Sequence, residues 1–148
     1  MPLESGNRLS FIAGSAPERL RAITEEESAK RPAPGKWSKK EILGHLVDSA
    51  TNNHQRFVRA QIGIGELAFP GYAQDEWVRV QPYQRTPWPE LIELWAAYNQ
   101  YLGRLIASVP ESEAGKPCRI GENKPVTLRY LMDDYVRHLE HHLGQILG

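Results

Sequence analysis

The chain has 148 residues, enough for one domain with its own core, and its 18 basic residues balance 18 acidic ones. Zero net charge without a Lys/Arg cluster removes the counterion-displacing surface that nucleic-acid binding needs. Cys118 is the one cysteine, which leaves no internal disulfide or CxxC site, and no apolar run reaches the roughly 18 residues of a membrane span. The opening MPLESGNRLSFIAGS also lacks the basic-then-apolar pattern of an export signal, so the sequence predicts a cytoplasmic, single-domain protein with no nucleic-acid or membrane partner.

Helical periodicity predicts four segments. The first is expected from Ala16 to Ala29, where Leu20 and Ile23 form a weak stripe that Arg31-Pro32-Ala33-Pro34-Gly35 ends; Glu25-Glu26-Glu27 reads as its solvated end. Ser38, with Glu41 three residues later, has the spacing of a capping box and starts the second. Ile42, Leu43, Leu46, Val47, Ala50, Phe57 and Val58 then make one apolar face up to about Ile62. The connection from Gly63 to Thr86 is far longer than a bundle turn, and Phe69, Tyr72, Trp77 and Tyr83 let it pack down as an ordered flap.

The third helix is expected from Pro87 to Val109, with Leu91, Leu94, Trp95, Tyr98, Leu102, Leu105 and Ile106 inward and Pro110 as its stop. After a connection with room for a short hairpin around Gly121, Thr127 caps a fourth helix running to the C-terminus. Its stripe is Leu128, Leu131, Met132, Tyr135, Leu139, Leu143 and Ile146. No segment sustains strand alternation, so the fold class is all-α, a four-helix bundle in which the long crossover lets two neighbouring helices run parallel.

Five histidines occur, at 45, 54, 138, 141 and 142. At about 100° per residue, His142 lies roughly 60° from the centre of the fourth helix's apolar face and His138 roughly 100° on the same side, whereas His141 points about 160° away. His138 and His142 are thus an i, i+4 pair able to share one metal ion on the inner flank. His45 lies at the edge of the second helix's apolar face and is a candidate third ligand. A lone helical histidine is more often a surface or satisfied core residue; the conjunction of these positions is what favours a metal.

KWSKKEILGHLVDS followed by YVRHLEHHLGQI resembles the DinB-like superfamily, in its YfiT-like metal-dependent hydrolase branch, over nearly the whole chain. The first motif is Trp37 and Ser38 leading into His45 and Asp48; the second is the HxxxH pair His138 and His142. The resemblance implies an up-down-down-up bundle, His45, His138 and His142 as ligands to one divalent ion (zinc or nickel first), and hydrolysis or transfer of a small thiol, such as bacillithiol or mycothiol, to a small-molecule substrate.

Three neutral imidazoles leave open positions on an ion, the arrangement of a catalytic rather than a structural site. Asp48, one turn after His45, is the candidate to orient an imidazole or serve as a base, and Asn52 adds amide polarity on that helix. In the flap, Tyr72 and Asp75 are candidates for substrate contacts, Asp75 as the pocket acid, and Arg79 or Arg85 for a carboxylate-bearing thiol cofactor. Trp37 reads as a hydrophobic staple and Cys118 as incidental. The competing reading is a non-catalytic or stress-associated metal-binding bundle that forms a homodimer.

Overall fold

The computed structural model describes residues 2–148. Its helices are α1 (Pro2–Arg21), α2 (Glu25–Ala29), α3 (Lys39–Ile62), α4 (Gln74–Arg79), α5 (Trp88–Ala107), α6 (Glu111–Ala114) and α7 (Leu128–Leu147). Short strands β1 (Leu67–Phe69), β2 (Pro117–Ile120) and β3 (Val126–Thr127), with a 3-10 turn at Tyr83–Arg85, lie in the connections. No helix among the described residues is long and apolar enough to cross a membrane.

Side-chain contacts give the helix directions. Gly6 on α1 lies against Gly103 and Ala107 on α5, while at the far end the Trp88 indole donates to the Leu20 carbonyl, so these helices are antiparallel. Ser5 bonds to Asp133 and Arg8 to Glu140, so α1 and α7 run parallel. His45 faces His138 and His142, whereas Phe57 packs edge-on to Tyr135, which makes α3 antiparallel to α7. The four long helices therefore run up, down, down, up. Both α1 and α3 pack on α5 and α7, as the long crossover between α3 and α5 permits.

The cap signals hold atom by atom. The Ser38 hydroxyl accepts from the Glu41 amide and the Glu41 carboxylate from the Ser38 amide, while Thr127 accepts from the Tyr130 amide. Leu43, Leu46 and Phe57 of α3 are fully buried against Leu91, Trp95 and Leu102 of α5 and Met132 of α7. Each such side chain contributes about 1.5–3 kcal/mol of burial.

The expected first helix is corrected at both ends. Helix α1 begins at Pro2, and the chain breaks after Arg21 before the separately capped α2, in which Thr24 and Glu27 form their own capping box. The signal was faint because Leu9, Ala13, Ala16 and Leu20 form a stripe half made of alanine, interrupted by Gly6, Gly14 and Pro17. Gly6 is required by packing: a Cβ there would lie 2.5 Å from the Ala107 nitrogen and the Gly103 oxygen. The acidic run is also more than a solvated end, since Glu25 pairs with the buried Lys40 and accepts from the Trp88 amide, tying α2 to the starts of α3 and α5. Val58 and Leu94, assigned to inward faces, are partly exposed.

The hairpin around Gly121 forms, with Gly121 at φ +57, and β2 pairs antiparallel with β3. Strand β1, not expected from the sequence, adds in parallel to β2 with Leu67 opposite Cys118. This small sheet joins the two long connections and forms one rim of the site below.

Candidate metal centre

His45 projects from the second turn of α3 into the bundle with no exposed surface, while His138 and His142 come from successive turns of α7 and are half-buried. One ligand atom from each lies within 4.8 Å of the others. The Nε2 atoms of His45 and His138 are 3.3 Å apart. Two nitrogens at zinc–imidazole bond lengths in a tetrahedron would be about 3.3–3.4 Å apart, so this pair already has the spacing that a shared ion imposes.

Protonation favours the same use. Burial, followed by the fields of His138 and His142, holds the His45 imidazole at a pKa of about 4. His138 is lowered as well, first by burial and then by His142. Neutral imidazoles are the ligand form, so protons compete little near neutral pH. The donor set and spacing fit one divalent ion.

The groups behind the imidazoles are partly in place. The Nδ1 of His142 lies 2.8 Å from the Gln145 side-chain oxygen, which fixes the ring's orientation. Trp37 packs against His45 with ring centroids 5.0 Å apart, so it supports the site as well as the helix start. Asp48 is buried, and its Oδ1 accepts from the Tyr83 hydroxyl at 2.6 Å and the Gln81 amide at 2.8 Å. Burial pushes its carboxyl up against these two bonds. Its Oδ2 and the Nδ1 of His45 are both buried without a partner among the described residues, and the two residues are one helical turn apart.

Two clefts meet the histidines. His138 lines a cavity of about 390 Å³ with Ser49, Asn53, Arg56, Tyr72 and the rim of the small sheet. His142 lines a second, of about 460 Å³, with Trp37, Ile42, Asp75 and Gln145. Tyr72 and Asp75 thus fall in different clefts. Asn52 turns its amide back to the Asp48 carbonyl and lines a separate groove, whereas its neighbour Asn53 lines the His138 cavity. Arg79 is exposed and paired with Glu76; with Arg85 and Asp75 it lines a third cleft.

His141 is exposed, as helix rotation predicts. His54 bonds through Nδ1 to the Tyr98 hydroxyl at 2.7 Å, away from the cluster. Cys118 is buried on β2 and its thiol is pushed up by burial, so it offers no accessible nucleophile. Sequence reasoning passed over Gln145 and Arg56. Gln145 carries an i+3 signal from His142, and Arg56 extends a polar stripe with Ser49 and Asn53 at i, i+4 and i+7.

Residues 12–146 match the sequence pattern of the DinB superfamily. The chain is 22% identical over 129 residues to "Putative metal-dependent hydrolase OB0413" of Oceanobacillus iheyensis, covering 87% of this chain and 73% of that protein. Among solved structures it is similar to YfiT from Bacillus subtilis, described as a probable metal-dependent hydrolase with an unusual four-helix bundle topology. That match has a TM-score of 0.79 at 18% identity and covers 95% of this chain and 83% of the other.

Proposed function

The chain belongs to the DinB superfamily, and from that membership and the three converging imidazoles we propose that it is a metal-dependent hydrolase of a small molecule. One divalent ion, zinc or nickel first, would be held by His45, His138 and His142. The observation that carries the reading is the 3.3 Å approach of two neutral imidazole nitrogens beside a third histidine, with one cavity reaching His138 and another His142. When bound, the ion supplies Lewis-acid polarisation of the scissile group and acidification of water toward a pKa of about 7.

The residues of the chain supply the rest. Gln145 holds His142 by its Nδ1. Asp48, held by Tyr83 and Gln81, has a free oxygen one turn from the free Nδ1 of His45, and we assign it the orienting of that ring. Asp75, in the cavity with His142, is the candidate acid for a leaving group, and Tyr72 bounds the cavity with His138.

Thiol S-transfer would use the same ligands with a different nucleophile. Because Cys118 is buried, the sulfur would come from a bound small thiol. The test is a panel of simple esters and amides, and separately small thiols with an electrophile, offered to metal-loaded wild type and His138→Ala. Turnover of the first panel that is lost in the variant supports hydrolysis; turnover only of the second replaces it with transfer. Equal rates in wild type and His138→Ala would refute both.

A further inference from the structure

We propose that the cavity beside His138 is an anion subsite, in which Arg56 binds the carboxylate of a monoanionic substrate whose reacting end meets the three histidines. This deepens the metalloenzyme reading and rests on it for the word substrate. Ser49, Asn53 and Arg56 form one stripe on α3 that starts a turn beyond His45, and all three line the cavity that His138 closes from α7. The stripe leads from the candidate ion to the guanidinium.

Arg56 is 9% exposed, an uncommon state for a guanidinium. Among the described residues its partners are the Pro70 carbonyl at 3.2 Å and the face of Tyr72, 5.9 Å from the ring centroid, and no carboxylate is among them. A guanidinium has five N–H donors and is costly to bury without a counter-charge. None of its nitrogens is sealed off without a bond, so its spare donors remain open to added acceptors. Tyr72 is itself packed edge-on against Trp77, ring centroids 5.3 Å apart, which steadies the wall on which Arg56 lies.

The charge around the cavity selects the ligand. Its charged lining groups are Arg56, Lys124 from the β2–β3 turn, and Asp134 from α7. Asp134 is itself paired with Arg137 at 3.3 Å. A planar donor fork matches a carboxylate with two parallel bonds, whereas a phosphate dianion would meet the Asp134 carboxylate.

The test is titration calorimetry of the protein as purified, and again after chelator treatment, with benzoate, benzamide and inorganic phosphate. Benzoate is expected to bind both forms and to bind Arg56→Gln at least tenfold more weakly, with Arg56→Lys intermediate and benzamide inert. Lys124→Ala, on an exposed turn, is expected to weaken benzoate about two- to fourfold in a salt-sensitive way. If Arg56→Gln does not fold, amide NMR of wild type decides, with benzoate perturbing Ser49, Asn53 and Arg56 first.

Equal benzoate affinity in wild type and folded Arg56→Gln would overturn the proposal, as would binding of phosphate in preference to benzoate. Loss of benzoate binding after chelation would overturn it too, since the carboxylate would then be sitting on the ion. Metal content measured on the same samples separates the two claims: benzoate bound by protein that takes up no metal keeps the subsite and sinks the metalloenzyme, and the reverse sinks the subsite alone.

Discussion

Replacing Tyr83 with Phe removes a single oxygen from beneath the histidine cluster. The ring lies over Gly44, where a Cβ would overlap it, so the aromatic packing stays and no large cavity forms. What is lost is the 2.6 Å bond to Asp48 Oδ1. Since Oδ2 has no partner already, Asp48 would keep only Gln81. A buried bond to a charged acceptor is worth about 1.5–3 kcal/mol. Asp48, whose carboxyl burial already raises, can offset part of the loss by taking a proton, which places the expected cost near the lower end, about 1.5–2 kcal/mol. For a chain of this size that lowers Tm by roughly 4–6 °C. Urea unfolding should show a reduced midpoint with an unchanged slope, and a cycle with Asp48→Asn should give a coupling of at least about 1 kcal/mol. A loss under about 0.5 kcal/mol, or additive single effects, would refute the assignment of Tyr83 as the anchor of Asp48.

Gly6→Ala drives a methyl onto α5 backbone 2.5 Å away and is expected to destabilise by about 1–3 kcal/mol without changing metal content per folded chain; wild-type stability in a melt would contradict the close crossing. In chelator-treated protein, His45 has a pKa of about 4 against an ordinary 6.5, so the unfolded chain takes up more protons between those values. Stability should therefore fall as pH drops from about 6.5 to 4, by an order of 2–3 kcal/mol, and His45→Gln should flatten the profile of urea midpoint against pH; an equally steep variant would count against a buried neutral imidazole. Cys118 should react with a thiol reagent far more slowly in folded than in urea-unfolded protein, because its sulfur is enclosed and its thiol is held protonated. Rapid labelling of the native chain would contradict this.

The parts of the fold that were legible are those with local chemical signals. Ser38 and Glu41, Thr127, and the apolar stripes of α5 and α7 state their helices within the sequence itself. Helix α1 was legible only in its last turns, because it packs by smallness: Gly6, Ala13 and Ala16 bury backbone rather than side chain, and only the presence of α5 gives that pattern meaning. Strand β1 was hidden for a similar reason, being three residues whose hydrogen-bond partners lie some fifty residues away.

At the site, i, i+4 spacing brought His138 and His142 together and set His141 aside, whereas the approach of His45 depends on how α3 docks on α7. Asp48 could be read as one turn from a histidine, but its anchoring by Tyr83 and Gln81 belongs to the crossover and left no local trace. Arg56 carries no local signal, because its burial depends on Pro70 and Tyr72 of the long crossover.

The measurement that bears most directly on the central claim is metal stoichiometry by elemental analysis of untagged protein, on wild type, His45→Ala, His138→Ala, His142→Ala and His54→Ala. His54 serves as the control because it bonds Tyr98 away from the cluster. One divalent ion per chain is expected in wild type and in His54→Ala, with loss of most of it in each of the other three. Wild type that takes up no stoichiometric zinc or nickel, or His138→Ala that retains a full equivalent, would contradict that claim.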